Sequence, residues 1–135
     1  MKGYVTDIEE ATLKNSLYRQ VLFTAKNSQL VLMSLKPGEE IGEEVHELDQ
    51  FLRFEAGDGT VILDGQDHAV RVGFAVVIPS GTRHNVINTS ESADLKLYSL
   101  YSPPEHKVGT VHRTKQEADA DADHHFDGRT SIDSK

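Results

Sequence analysis

The sequence contains no cysteine and no tryptophan among its 135 residues. Without cysteine there are no disulfides and no thiolate ligands, so a bound metal must be held by nitrogen and oxygen. The expected location is the cytoplasm: cysteine is absent, and Met1–Asp7 lacks the apolar core of a signal peptide. Long apolar runs are also missing, and none approaches the ~20 residues that span a bilayer. Mean hydropathy is −0.46. Positive charge is scarce, with 14 Lys and Arg against 22 Asp and Glu, for a net charge of −8. That balance argues against nucleic acid and anionic membranes as partners. Three further absences exclude chemistry: there is no Gly-x-Ser-x-Gly, no phosphate-binding glycine loop and no dinucleotide fingerprint.

What remains is a chain of short apolar runs cut by turns. Its length suits one domain with one core. Thr6-Asp7-Ile8-Glu9 fits a capping box, and the helical turn it opens should end near Asn15. Tyr18–Phe23 reads as a strand, and Asn27-Ser28 as a turn. Gln29–Leu35 is so continuously apolar that burial on both faces is expected, as in a sandwich or at a dimer contact. Pro37-Gly38 ends it. Further strands are expected at Thr60–Leu63, Gln66–Val70, Phe74–Ile78, His84–Asn88 and Asp94–Tyr101. Gly57-Asp58-Gly59, Asp64-Gly65, Arg71-Val72-Gly73 and Pro79-Ser80-Gly81 supply the turns. Many short strands between glycine turns indicate an all-β sandwich or barrel.

The chemistry concentrates between Gly38 and Gly57. Glu44 and His46 are two apart, so on a strand both face one side. A turn at Glu47–Asp49 follows, and Gln50 opens the run Phe51-Leu52-Arg53-Phe54. If Gln50 faces the same interior, Glu44, His46 and Gln50 converge. A second cluster, Gly73, Pro79, Gly81, His84 and Asn88, lies downstream. One carboxylate and two imidazoles from different strands suit a divalent cation. This set without sulfur fits Mn²⁺, Fe²⁺, Ni²⁺ or Zn²⁺ and does not choose among them.

These two clusters resemble the two motifs of the cupin superfamily. The first motif there is Gly, five residues, His-x-His, three or four residues, Glu, six residues, Gly. This sequence has Gly38, Glu44-Val45-His46, Gln50 and Gly57 at that spacing, with Glu44 in place of the first His and Gln50 in place of the Glu. The second motif, Gly-x5-Pro-x-Gly-x2-His-x3-Asn, is matched throughout by Gly73, Pro79, Gly81, His84 and Asn88. The similarity covers roughly residues 18–102 and is to short single-domain cupins, some of them labelled mannose-6-phosphate isomerase-like. It implies a jelly-roll barrel, a divalent metal held by Glu44, His46, Gln50 and His84 in the barrel mouth, and a homodimer. It also implies action on a small oxygenated molecule, as an isomerase-like or oxygenase-like metalloenzyme, or else a non-catalytic ligand-binding or sensing module. No catalytic residue is assigned. Glu44 is the best proton donor or acceptor if it is not a ligand.

Other polar residues read as structural. Asn88 should bond backbone across a turn. Alternation sets Arg53 opposite Gln50, where a salt bridge or dimer contact fits better than substrate. His68, His106 and His112 lack partners at ligand spacing and read as surface residues. Residues 1–114 form the expected domain, and 115–135 read as an acidic, mobile tail. Its His124-His125 pair resembles a metal-binding tract, but a solvated tail is the plainer reading.

Overall fold

A computed structural model of the chain describes residues 2–132. Among these residues, nine strands and two helices follow one another as α1 (Ile8–Lys14), β1 (Arg19–Thr24), β2 (Gln29–Leu35), β3 (Asp49–Ala56), β4 (Asp58–Leu63), β5 (Gln66–Arg71), β6 (Ala75–Ile78), β7 (His84–Asn88), β8 (Leu95–Ser102), β9 (Val111–His112) and α2 (Lys115–Ala120). One sheet has the order β6-β3-β8-β2-β1-β9 and the other β5-β4-β7, all pairs antiparallel. The two sheets face each other as a jelly roll, in keeping with the expected all-β class. Between them lie the fully buried Phe54, Met33, Leu35, Leu52, Leu95, Leu97, Val31 and Val61. No helix among the described residues is long and apolar enough to cross a membrane.

Period-two alternation decides which side chains meet inside. Along β3 the burial runs Gln50, Leu52, Phe54, with exposed Arg53 between. Register extends that face across the sheet: Leu52 opposes Ser99, which opposes Val31, and Gln50 opposes Tyr101, which opposes Gln29. Gly57 joins β3 to β4 at φ +92°, and a Cβ there would stand 2.5 Å from the Asp94 carbonyl oxygen. Glycine is required at that junction on both counts.

β2 is buried on both faces, and the chain itself does the covering. Val31, Met33 and Leu35 point into the core, while Leu32 and Ser34 on the outer face are also buried. Helix α1 lies over that outer face, touching β2, β3 and β8. The Lys96 ammonium, opposite Ser34 on β8, donates to the Asn15 carbonyl just past the helix end. The apolarity of β2 therefore needs no second subunit to explain it. The cap of α1 sits one residue later than the expected box. The Asp7 carboxylate, not Thr6, accepts the Glu10 N–H at 3.1 Å, which leaves Thr6 outside the helix.

The first arm of the Glu44–His46 region is not a strand, contrary to the alternation argument. Between β2 and β3 only isolated bridges form, Glu40 with Ile87 and Glu44 with His84. Gly38 and Gly42, at φ +77° and +108°, turn the backbone out of extended conformation and prevent a continuous ladder. The stretch expected to be a tail carries α2, and the Ala118 side chain enters the core. His106 and His125 form a bridge, so residues 103–126 run along the barrel.

Candidate metal centre

His84 opens β7 directly after the Pro79–Gly81 turn. That turn is tied to the opposite arm, since the Gly81 N–H donates to the His46 carbonyl at 2.8 Å. Glu44 and His84 exchange both backbone hydrogen bonds, each 2.9 Å, which sets their side chains next to each other. His46 follows two residues on, with its ring 5.2 Å from that of His84. The result is convergence: one donor atom each from Glu44, His46 and His84 lies within 4.8 Å of the others.

The tautomers suit this use. A carbonyl only accepts, so the 2.9 Å contact between His84 Nδ1 and the Thr82 oxygen puts the proton on Nδ1. The Nε2 lone pair of His84 is left free for a ligand. In His46 it is Nε2 that faces Glu44, at 3.7 Å from Oε2. His84 is buried, and the side chains of His46 and Glu44 are 11% and 37% exposed, so the group opens to solvent on the Glu44 side.

Gln50 stands on the inner face of β3 beside Tyr101. Its amide nitrogen donates to Ser99 Oγ at 3.2 Å, while its Oε1 is buried without a partner. A buried carbonyl oxygen rarely goes unused. Two imidazoles and a carboxylate form a nitrogen–oxygen donor set, so these residues fit a divalent cation. Tyr101 meets the His46 ring edge-on at 6.1 Å and walls the site.

Burial is the main electrostatic influence here. It raises the pKa of Glu44, with Arg19, His84 and His125 pulling the other way. It lowers that of His46, against the pull of Glu105. Burial thus shifts each group toward its neutral form, and a cation would favour carboxylate and lone pair.

The remaining sequence candidates are structural. Asn88 donates to the Leu35 and Ala93 carbonyls at 3.0 and 2.9 Å and accepts from the Ser90 N–H. Arg53 pairs with Glu55 at 3.6 Å. His68 is exposed, as expected.

His106 and His112 are not surface residues. They are 2% and 3% exposed. His112 is carried inward by β9, which pairs with Arg19 and Gln20 of β1. Arg19 donates to His112 Nδ1 at 3.0 Å, so His112 Nε2 carries the proton and donates to Asp121 at 2.9 Å. His106 Nδ1 lies 3.0 Å from His124 Nδ1. A two-residue strand pairing over more than ninety residues leaves no periodic signal to find. Glu105 was also missed: its Oε2 lies 3.6 Å from His46 Nδ1 and 3.6 Å from His125 Nδ1.

A Cupin domain model matches residues 31–101. The chain is 48% identical over 129 residues to the uncharacterized protein YrkC of Bacillus subtilis, covering 90% of this chain and 69% of that protein. It is 45% identical over 113 residues to an uncharacterized protein of Acanthamoeba polyphaga mimivirus, covering 80% and 70%. Among solved structures it is similar to BH2720 from Bacillus halodurans, with TM-score 0.86 and 44% identity, over 89% of this chain and 96% of that one.

Proposed function

The chain belongs to the cupin family, and from that premise we propose that it is a cytoplasmic metalloenzyme acting on a small oxygenated molecule. The observation that supports this reading most is the convergence of Glu44, His46 and His84 donor atoms within 4.8 Å. His46 and His84 would hold the cation through Nε2, Glu44 would add a neutralising charge, and Gln50 Oε1 would be a fourth donor. When bound, such a cation polarises a ligand oxygen as a Lewis acid. The Pro79–Gly81 turn keeps the His84 ring fixed through the Thr82 carbonyl. Tyr101 and the β3–β8 wall exclude water from the inner side. If the cation is held without it, Glu44, on the solvent side with a raised proton affinity, is the group placed to hold or move a proton at the mouth. A sugar phosphate is disfavoured as substrate, because the carboxylates of Glu44 and Glu105 stand on either side of His46 and would repel a phosphate.

Elemental analysis of untagged protein tests this reading. About one equivalent of Mn, Fe, Ni or Zn is expected. Protein that takes up no metal under any loading condition would turn the reading into a ligand-binding or sensing module, with Glu44 and Gln50 marking a lost site.

A homodimer through the outer face of the large sheet belongs to the same proposal. Val77, Phe51, Leu100 and Leu30 oppose one another in register across four strands, and Val77 and Leu100 are 65% and 38% exposed. An apolar row of this kind on a sheet suits pairing with a second copy. Light scattering should give twice the 15.0 kDa mass of the chain. A monomer at micromolar concentration would refute it.

A further inference from the structure

We infer that Glu105 is a positioning residue for the metal centre: its carboxylate orients the His46 ring through Nδ1, so that Nε2 is the nitrogen presented to the cation. The inference rests on the metal-centre reading above. It concerns a residue outside the matched family region, 31–101.

The two nitrogens of His46 face two different carboxylates. Nε2 lies 3.7 Å from Glu44 Oε2, and Nδ1 lies 3.6 Å from Glu105 Oε2. Glu105 thus stands on the far side of the imidazole from the converging donors, so it is not itself one of them. An imidazole that binds metal through Nε2 carries its proton on Nδ1, and that proton needs an acceptor when the ring is enclosed. The His46 side chain is 11% exposed and that of Glu105 16%, so water is a poor substitute. At 3.6 Å the contact is electrostatic.

Glu105 is held where this role requires. Its N–H donates to Gln29 Oε1 at 3.3 Å, and the His106 N–H donates to the same oxygen at 3.0 Å. The Gln29 amide nitrogen in turn donates to Thr24 Oγ1 at 2.8 Å and to the His106 carbonyl at 2.7 Å. Gln29 is 1% exposed on the inner face of β2. On the other side, the Phe126 N–H donates to the Glu105 carbonyl at 2.9 Å. A saturated buried clamp therefore fixes the backbone of a residue whose side chain reaches His46. His125, 68% exposed, touches the same carboxylate oxygen, which gives a competing explanation: a surface ion pair unconnected with the metal.

Two measurements on the full chain separate these. Co²⁺ affinity is read by competition with a chromophoric chelator, together with the visible spectrum of the bound ion. The His46 tautomer in metal-free protein is read from ¹⁵N chemical shifts above neutral pH. Glu105→Ala should weaken Co²⁺ binding about 10- to 100-fold and alter its spectrum. Glu105→Gln, which keeps an accepting oxygen, should stay within about threefold of the parent, and His125→Ala within about twofold. His46 should carry its proton on Nδ1 in the parent and lose that preference in Glu105→Ala. Co²⁺ binding by Glu105→Ala within about twofold of the parent, with an unchanged tautomer, would overturn the inference. If the parent binds no Co²⁺, the metal-centre reading fails, and the tautomer measurement still decides whether Glu105 orients His46.

Discussion

Two clusters of imidazoles sit at this barrel, and they are built on opposite logics. At the mouth, His84 commits Nδ1 to the Thr82 carbonyl, His46 sets its two nitrogens toward Glu44 and Glu105, and both rings keep a donor atom within 4.8 Å of the Glu44 carboxylate. In the C-terminal cluster, His112 spends both nitrogens, one accepting from Arg19 and one donating to Asp121. His106 and His124 face each other through Nδ1, with His106 Nε2 buried and unpartnered. Only the first cluster brings three donor atoms within 4.8 Å among the described residues. Counting histidines does not locate a metal site. What locates it is a set of lone pairs left free to point at one place.

The comparison breaks most sharply under metal titration. His84→Ala should lower Zn²⁺ or Co²⁺ affinity by at least about a hundredfold, since it removes one of the three donors that converge among the described residues. The same titration on His112→Ala should give the parental affinity. If the two variants behave alike, the cation lies elsewhere, with His124 and His125 the first suspects.

The next largest effect falls on stability. His112→Ala takes from the buried Arg19 guanidinium the one side-chain acceptor it has among the described residues and frees Asp121. It should cost about 3 kcal/mol in denaturant unfolding. His84→Ala, measured without metal, should cost clearly less, because the Thr82 carbonyl it abandons can reach water. Equal losses would mean that the mouth is as much a structural cluster as the other.

Acid sharpens the contrast further. The pKa of His106 is pushed down from 6.5 to about 2, by burial first and then by Arg19, His124 and His112. The unfolded chain therefore binds a proton at pH values where the folded chain does not. The stability from neutral His106 is whole above pH 6.5 and is lost as pH falls, by up to ~1.4 kcal/mol per unit. His106→Gln should flatten the decline between 6.5 and about pH 5 by a sizeable part of that slope. His46 acts in the same direction, and Glu44 and Glu105, with raised pKa values, act in the opposite one, but all three are common to both proteins. Parallel stability curves would show that His106 is not held neutral.

The smallest effect concerns Gln50. As a neutral oxygen donor it should matter less than an imidazole, so Gln50→Leu should weaken metal binding by about three- to tenfold. No change at all would leave its buried Oε1 without a role in the centre and give the fourth position to water.

Along most strands the local pattern of apolar and polar residues made the fold legible. Gln29–Leu35 and His84–Asn88 form strands with the expected limits. Arg53 points away from Gln50, as two-residue periodicity requires. The Glu44 arm shows where the same reasoning fails: its spacing put Glu44 and His46 near His84, but Gly38 and Gly42 keep it from being a strand. The double-sided burial of β2 was read correctly, while its cause proved to be α1.

By itself the sequence determined the class of the fold, most strand limits and the kinds of donor atom available, because these follow from residue type and short-range periodicity. Tertiary structure alone decided what the C-terminal segment does. Nothing local marks Glu105, His106 or His112 as inward-facing. They are drawn in because β9 pairs with β1, and because Gln29, a buried amide with no other way to satisfy its oxygen, captures the backbone of Glu105 and His106. Pairings across seventy to ninety residues depend on which buried groups still lack partners once the barrel has closed, and that demand is written in no single stretch of the chain.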